Sequence, residues 1–184
     1  MITSNQKDSI TITPIDSVKE LLLVKLSKTL ENVFNVNCSI TDEMQMPPHA
    51  YNHSKNQYHS TPIIKQLRDR EVHHAHKILG VTERNLFVPE ANFVFGQSYV
   101  NETGPVISLH RRREGFYEKE HNDELFHERI TKEAIHELGH AWDAWHCKKK
   151  KCIMSFSTTI RDTDKKLFTF CKKCKNIFSK NIKK

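Results

Sequence analysis

The segment HELGHAWDAWHC, at 136–147, places three histidines, a glutamate and a cysteine in twelve consecutive positions. On an α-helix each residue turns about 100°, so residues four apart, here His136 and His140, share one face, about 40° from each other and one turn apart. Two imidazoles so placed can converge on a single metal ion. Glu137, about 100° from His136, can lean over that ion without binding it, which is the physical content of an H-E-x-x-H pattern. His146 poses a harder question. If the helix continued, it would lie about 240° round from His140, on the wrong face. It meets the ion only if the chain turns sharply after Trp142, and such a turn normally needs a residue at positive φ, where glycine is cheapest. The sequence offers Asp143, which visits the left-handed region at roughly 1 kcal/mol above glycine. Zinc binding at structural sites runs to about 10 kcal/mol or more, enough to outweigh that strain. From these residues alone three readings stay open. His146 is the third ligand; or Asp143, three residues past His140, takes that role; or the helix runs on and His146 is an ordinary exposed residue.

The cysteines narrow the choice. Cys147, Cys152, Cys171 and Cys174 fall into two pairs, C-x4-C and C-x-x-C, and Cys38 stands apart. An odd total argues against a disulfide framework, and paired spacings in a reducing compartment point to a tetrahedral four-cysteine zinc site. Cys38 is expected to be a small buried hydrophobe. The formal charge of +7 is a property of the C-terminal part: from Cys147 onward 13 Lys and Arg face two Asp, leaving about −4 for the first 146 residues. Lys148 to Lys151, Lys172, Lys173 and Lys175 surround the cysteines in sequence, and a zinc centre of four thiolates, of charge about −2, would be stabilised by them. This account is favoured over nucleic-acid binding as the cause of the basic tail.

With 184 residues the chain suits one compact domain with a sizeable core. No apolar run approaches the roughly 20 residues of a membrane span, and the N-terminus lacks a basic and apolar leader pattern, so a cytoplasmic location without membrane contact is expected. ITITPI at 10–15 alternates as a strand, and SVKE at 17–20 is a capping box, Ser17 with Glu20, opening a helix to about Asn35. VNCSITD is expected to pair as a second strand, and 43–60 to be a loop. Thr61 and Pro62 open a helix expected to reach Leu79, with Gly80 as its stop. ANFVFGQSYV at 91–100 and GPVISLHR at 104–111 read as two strands of a hairpin. Residues 112–128 read as irregular, Thr131 as the cap of the H-E-x-x-H helix with Ile130 and Ile135 as its hydrophobic staple, and about 171–182 as a last helix. Trp142 and Trp145 are expected in the core or lining a pocket; Met44 and Met46 read as loop packing, and His73, His74 and His76 as surface residues.

The combined pattern H-E-x-x-H-x5-H-C-x4-C-x-M followed by C-x-x-C resembles the archaemetzincins, a family of zinc-dependent metalloproteases. GVTERNLFVPEANFVFGQS (80–98), VISLHR (106–111) and AYNHSKNQYHST (50–61) extend the resemblance from about residue 10 to 178. The resemblance implies an α+β, metzincin-like fold, a mixed twisted sheet packed on helices. It implies one catalytic domain: a sheet-and-helix part over 10–146 ending in the active-site helix, then a small four-cysteine zinc part over 147–184. It implies two Zn2+ ions, a catalytic one on His136, His140 and His146 and a structural one on Cys147, Cys152, Cys171 and Cys174. Glu137 would be the catalytic base and Met154 the methionine of the turn beneath the site. Two departures stand out: Asp143 replaces the usual glycine, and the gap from Met154 to Cys171 is one residue shorter than usual.

The function expected is hydrolysis of a peptide or protein substrate by a zinc-activated water, with Glu137 as general base. The strand at 104–110 is a candidate edge for pairing with substrate, against the alternative of an interior ladder position. Tyr51, Tyr58 and Tyr117 are candidates to approach the oxyanion. The rival expectation is a zinc-stabilised binding module without catalysis, for a protein partner or nucleic acid, which follows if His146 fails to reach the metal.

Overall fold

The computed structural model describes residues 8–70, 77–112 and 122–182. Strand β1 (Ser9–Ile15) leads to helix α1 (Glu20–Phe34) and strand β2 (Asn37–Ile40), which returns parallel to β1 with Ser9 opposite Asn37. A 3-10 turn (Pro48–Ala50), strands β3 (Tyr51–Asn52) and β4 (Gln57–His59) and helix α2 (Ser60–Asp69) follow. Then come β5 (Lys77–Thr82), β6 (Leu86–Val88), β7 (Ala91–Val94), β8 (Gly96–Gln97) and β9 (Val106–Ser108). A second 3-10 turn (His110–Arg112), α3 (Asp123–Ala141), α4 (Ile160–Lys165) and α5 (Lys172–Asn181) complete the order.

One sheet runs β2-β1-β5-β9-β8 and a second β3-β4-β6-β7. In the first, β2, β1, β5 and β9 are parallel and only the edge strand β8 is antiparallel. This is the α+β architecture, with a mixed sheet between helices, that the resemblance implied. Parallel strands covered on both faces read as continuous apolar runs. Ile10, Ile12, Leu79, Val81 and Ile107 pack on one face with α1 and α3, while Ile15, Ile78 and Val106 pack on the other with Ile63, Ile64 and Leu67 of α2. Among the described residues no helix is long and apolar enough to cross a membrane.

Several expectations need correcting. The second helix ends at Asp69, and Lys77–Thr82 is a strand buried between layers; its short apolar run fits a helix or a central strand equally well until its neighbours are known. Gly80 is therefore no helix stop. A Cβ there would lie 2.5 Å from Leu67 Cδ1 and 2.8 Å from Ile15 Cδ1, so glycine lets α2 approach the sheet. Thr61 does not cap α2, which starts at Ser60 with His59 before it. The Ser17–Glu20 capping box does not form: α1 begins at Glu20 after Lys19, with no side-chain cap. Asp16, at φ 55°, turns the chain there, and its carboxylate accepts from Met46 N–H and Arg84. Tertiary contacts thus set the entry to α1.

The stretch 43–60 is more ordered than a loop, since β3 and β4 form a hairpin pairing Tyr51 with Tyr58. The strands at 91–100 and 104–111 do not make one simple hairpin, because β7 pairs with β6 in the second sheet and only β8 pairs with β9. Helix α3 starts at Asp123, eight residues before Thr131, capped by the Asn122 side chain accepting from Leu125 N–H at 2.9 Å. Asp123 and Glu124 in its first turn favour the positive helix end. Thr131 lies inside the helix, its Oγ1 3.0 Å from His127 Nδ1. Trp145 is 67% exposed, whereas Trp142 is buried against Phe34 and Phe178. Met44 is buried and Met46 packs beside it. His73, His74, His76 and Tyr117 lie outside the described residues.

Candidate metal centres

Helix α3 runs through the interior, with every residue from Arg129 to Ala141 buried. Its last turn closes as a Schellman motif: Ala144 N–H donates to Gly139 O at 2.9 Å and Asp143 N–H to His140 O at 2.9 Å. Asp143 holds the left-handed position of that motif at φ 66°, so aspartate makes the turn usually given to glycine. The chain then doubles back. His146 comes within 5.3 Å of His136 and 4.7 Å of His140, ring centre to ring centre. One ring nitrogen from each of the three histidines lies within 4.8 Å of the others. The readings with a continuing helix, or with Asp143 in place of His146, are not what the fold brings together.

Two carbonyls orient the rings. His136 Nδ1 donates to Ile153 O at 2.9 Å and His140 Nδ1 to Ala144 O at 2.7 Å, since a carbonyl can only accept. Both Nε2 atoms therefore present lone pairs, yet they face each other at 3.2 Å. Two facing lone pairs suit a shared cation. Two Zn–N bonds of about 2.0–2.1 Å at the tetrahedral angle would separate the nitrogens by about 3.3 Å. Burial holds His136 well below its ordinary value, with Lys166 and His140 adding to the effect. Burial, then His146, lowers His140 to about 4, and burial followed by Lys166 lowers His146. Neutral rings are the form that binds metal.

Glu137 is buried beside these rings, accepting from Ser98 Oγ through Oε2. Its pKa is pushed up to about 8 by burial and then by Glu133. Glu133 pairs with Arg112 at 2.5 Å; Arg112 is fully buried, lies over the Phe95 ring at 3.9 Å and donates to Thr163 Oγ1 at 3.0 Å. Gly96 allows the edge strand to approach, since a Cβ there would lie 2.8 Å from Glu137 Cγ. Ser98, Glu133, Glu137 and the three histidines border a cleft of about 480 Å3 with aromatic walls of Phe93, Phe95 and Phe156. The edge along the cleft is β8, while β9, the strand expected at 104–110, is interior. Tyr51 and Tyr58 line a different cleft, with Asp16 and Arg84.

The four C-terminal cysteines also converge, their sulfurs within 4.8 Å of one another. Cys147 Sγ and Cys171 Sγ are 3.8 Å apart, close to the roughly 3.8 Å spanned by two Zn–S bonds of about 2.3 Å. Cys171 N–H donates to Cys152 Sγ at 3.3 Å. Backbone hydrogen bonding at Cys174 is the largest influence bringing the Cys171 thiol down to about 7, whereas burial raises Cys152 and Cys174. Lys148 to Lys151, Lys172, Lys173 and Lys175 are exposed, and hydrogen bonds are the leading cause that lowers the Cys171 thiol. Cys38 is half-buried against the main core. Met154, buried, runs beneath Gly139 of α3.

Sequence reasoning had not singled out Ser98, Glu133 or Lys166 at the cleft, nor Arg112, the partner of Glu133. Only Glu133 carried a local signal, lying four residues before Glu137 and so on its face of α3.

Against known proteins, the profile of Peptidase family M54 matches residues 15–180. The chain belongs to that family, the archaemetzincins. It is 40% identical over 165 residues to archaemetzincin of Methanocaldococcus jannaschii, covering 90% of this chain and 89% of that protein. It is 36% identical over 176 residues to the Pyrococcus furiosus archaemetzincin, covering 91% of each. The crystal structure of the Methanopyrus kandleri archaemetzincin superposes with a TM-score of 0.85 at 26% identity, over 98% of both chains. That of the Archaeoglobus fulgidus archaemetzincin, complexed with malonate, gives 0.80 at 31% identity, over 92% of this chain and 99% of that one. An archaemetzincin of this family is a metallopeptidase, and three histidines and four cysteines gathered here are two candidate metal sites.

Proposed function

We propose that the protein hydrolyses peptide bonds in a peptide or protein substrate, with a zinc ion held by His136, His140 and His146 and Glu137 as general base. The observation that carries this reading is the meeting of three ring nitrogens within 4.8 Å while the Nδ1 protons of His136 and His140 are spent on carbonyls. When bound, zinc supplies Lewis acidity that polarises the scissile carbonyl and acidifies water. Glu137, whose carboxylate Ser98 holds in place through Oε2, takes the proton of the attacking water and then delivers it to the leaving amine. Burial and Glu133 raise the affinity of Glu137 for a proton, which suits a group that takes one from water and then gives it up. An extended substrate would pair along β8, whose outer edge borders the cleft.

A second zinc ion on Cys147, Cys152, Cys171 and Cys174 would be structural, since four thiolates leave no open position. It would pin the segment from 147 onward, which carries Ile153 O, the acceptor of His136. The rival reading, a binding module without catalysis, drew its motive from Asp143 and the basic tail; the left-handed turn at Asp143, with His146 beside the other two histidines, favours the peptidase instead.

The test compares zinc-loaded parent and Glu137→Gln on a complex peptide mixture, with cleavage read by mass spectrometry and metal counted in both. Two zinc ions per chain in both proteins and cleavage only by the parent are expected. Equal cleavage by the variant would refute the base assignment.

A further inference from the structure

Lys166 is a charge at the cleft that the proposed chemistry leaves without a task. It is 3% exposed and directly follows α4, whose first turn is closed by the reciprocal capping box of Thr159 and Asp162. Its N–H donates to Thr163 O at 3.1 Å. Helix α4 is tied to α3 by the two-pronged Arg129–Asp164 pair, at 2.7 and 2.8 Å, and by Lys132 Nζ donating to Asp164 O at 3.1 Å. The lysine thus stands on a rigid base, and it lines the cleft with Glu137 and the three histidines.

The acids around it are already engaged: Glu133 pairs with Arg112, and Glu137 accepts from Ser98. They attract the ammonium electrostatically, but among the described residues it makes no hydrogen bond or salt bridge of its own. Burial is the largest influence on this side chain and disfavours its charged form, so an acceptor arriving beside it in the cleft would stabilise the ammonium. On the same cleft Ser157 Oγ is buried and has no partner among the described residues. Phe93, Phe95 and Phe156 give the cleft an apolar part, beside the polar Asn92, Gln97 and Thr158. A cation and a hydroxyl without partners in an aromatic cleft match a carboxylate, which accepts from both.

We propose that Lys166 is the specificity-determining cation of this cleft and binds a carboxylate of the peptide, with Ser157 as a second donor. The carboxylate comes from an acidic side chain or from the peptide's own C-terminus. The inference rests on the peptidase reading for its substrate being a peptide. It then makes acidic peptides the preferred class.

The test uses zinc-loaded protein in a Glu137→Gln background, so that peptides stay intact. N-acetylated, C-amidated peptides with one glutamate moved position by position are compared with their glutamine counterparts, and one glutamine peptide is given a free C-terminus. One acidic peptide is expected to bind about tenfold or more tightly than its neutral match, the size of one charge-assisted hydrogen bond. The winning peptide tells a side-chain carboxylate from a terminal one. Lys166→Met is expected to remove the ratio in a protein that thermal melting shows to be folded, and Lys166→Gln serves if methionine packs badly. No acidic preference in the parent overturns the proposal. So does a preference that survives in both variants, since the metal would then hold the carboxylate. Cleavage by the protein with Glu137 intact is measured separately. Absent cleavage with the binding ratio preserved counts against the peptidase reading alone.

Discussion

Replacing Gly139 by alanine tests the packing beneath the histidines. In an exposed helix interior that change stabilises by about 0.8–1 kcal/mol, because alanine has the higher helix propensity. Here the new Cβ would lie 2.5 Å from Met154 Sδ, 3.1 Å from its Cε and 3.3 Å from Phe170 Cε1. The methionine is fully buried, and its carbonyl accepts from Cys147 N–H at 2.8 Å, so neither its side chain nor its backbone has an easy way out. Forcing a methyl into such a core costs about 1–3 kcal/mol. At the upper end of that range, less the propensity gain, Gly139→Ala loses about 1–2 kcal/mol. In a chain of this size that lowers Tm by roughly 2–8 °C. Urea unfolding of the zinc-loaded proteins measures it, with Met154→Ala and the double variant closing a cycle. Met154→Ala alone should cost about 2–5 kcal/mol, and the double variant should recover at least about 1 kcal/mol of the summed losses, because the alanine methyl enters the vacated space. A Gly139→Ala protein more stable than the parent, or strictly additive losses, would refute the packing argument.

Other outcomes follow from particular residues. Asp143→Val should lose about 1–2 kcal/mol and weaken zinc at the histidines, because a β-branched residue resists the left-handed conformation; Asp143→Gly should stay within about 1 kcal/mol of the parent, relief of strain being offset by a freer unfolded chain. Unchanged unfolding and zinc content in the valine variant would show that the turn is not under that constraint. Cys171→Ser should reduce bound zinc from two ions to one and destabilise by several kcal/mol, measured by metal analysis and thermal melting; two retained ions would contradict a four-cysteine site. The Cys38 thiol is pushed up to about 12 by burial and then by Glu31, from an ordinary 9.0. Its folded value lies above its unfolded one, so its contribution is complete below pH 9 and is lost as pH rises towards 12. The urea midpoint should therefore fall more between pH 8 and pH 10 for the parent than for Cys38→Ala, and an equal fall in both would show that burial does not hold the thiol neutral.

What the sequence determined by itself was local. Residues four apart on a helix share a face whatever surrounds them, so His136 with His140 was legible, as were the cysteine pairs at ligand spacing. Strand β1 and the body of α1 were legible for the same reason, their periodicity being written within single segments. Asp143 was legible as a question only, because backbone sterics permit the left-handed turn there without requiring it. The tertiary structure decided it, by packing Trp142 on Phe34 and seating Ala144 in the core, with its carbonyl turned to His140. Packing also decided that Lys77–Thr82 is a strand, since Gly80 has to admit Leu67 of α2. It made β8 the edge strand in place of β9. Ser98 and Lys166 reach the cleft, and Arg112 reaches Glu133, from segments far apart in the chain. No short-range period records such meetings, because they depend on how layers stack and on where buried charges find partners.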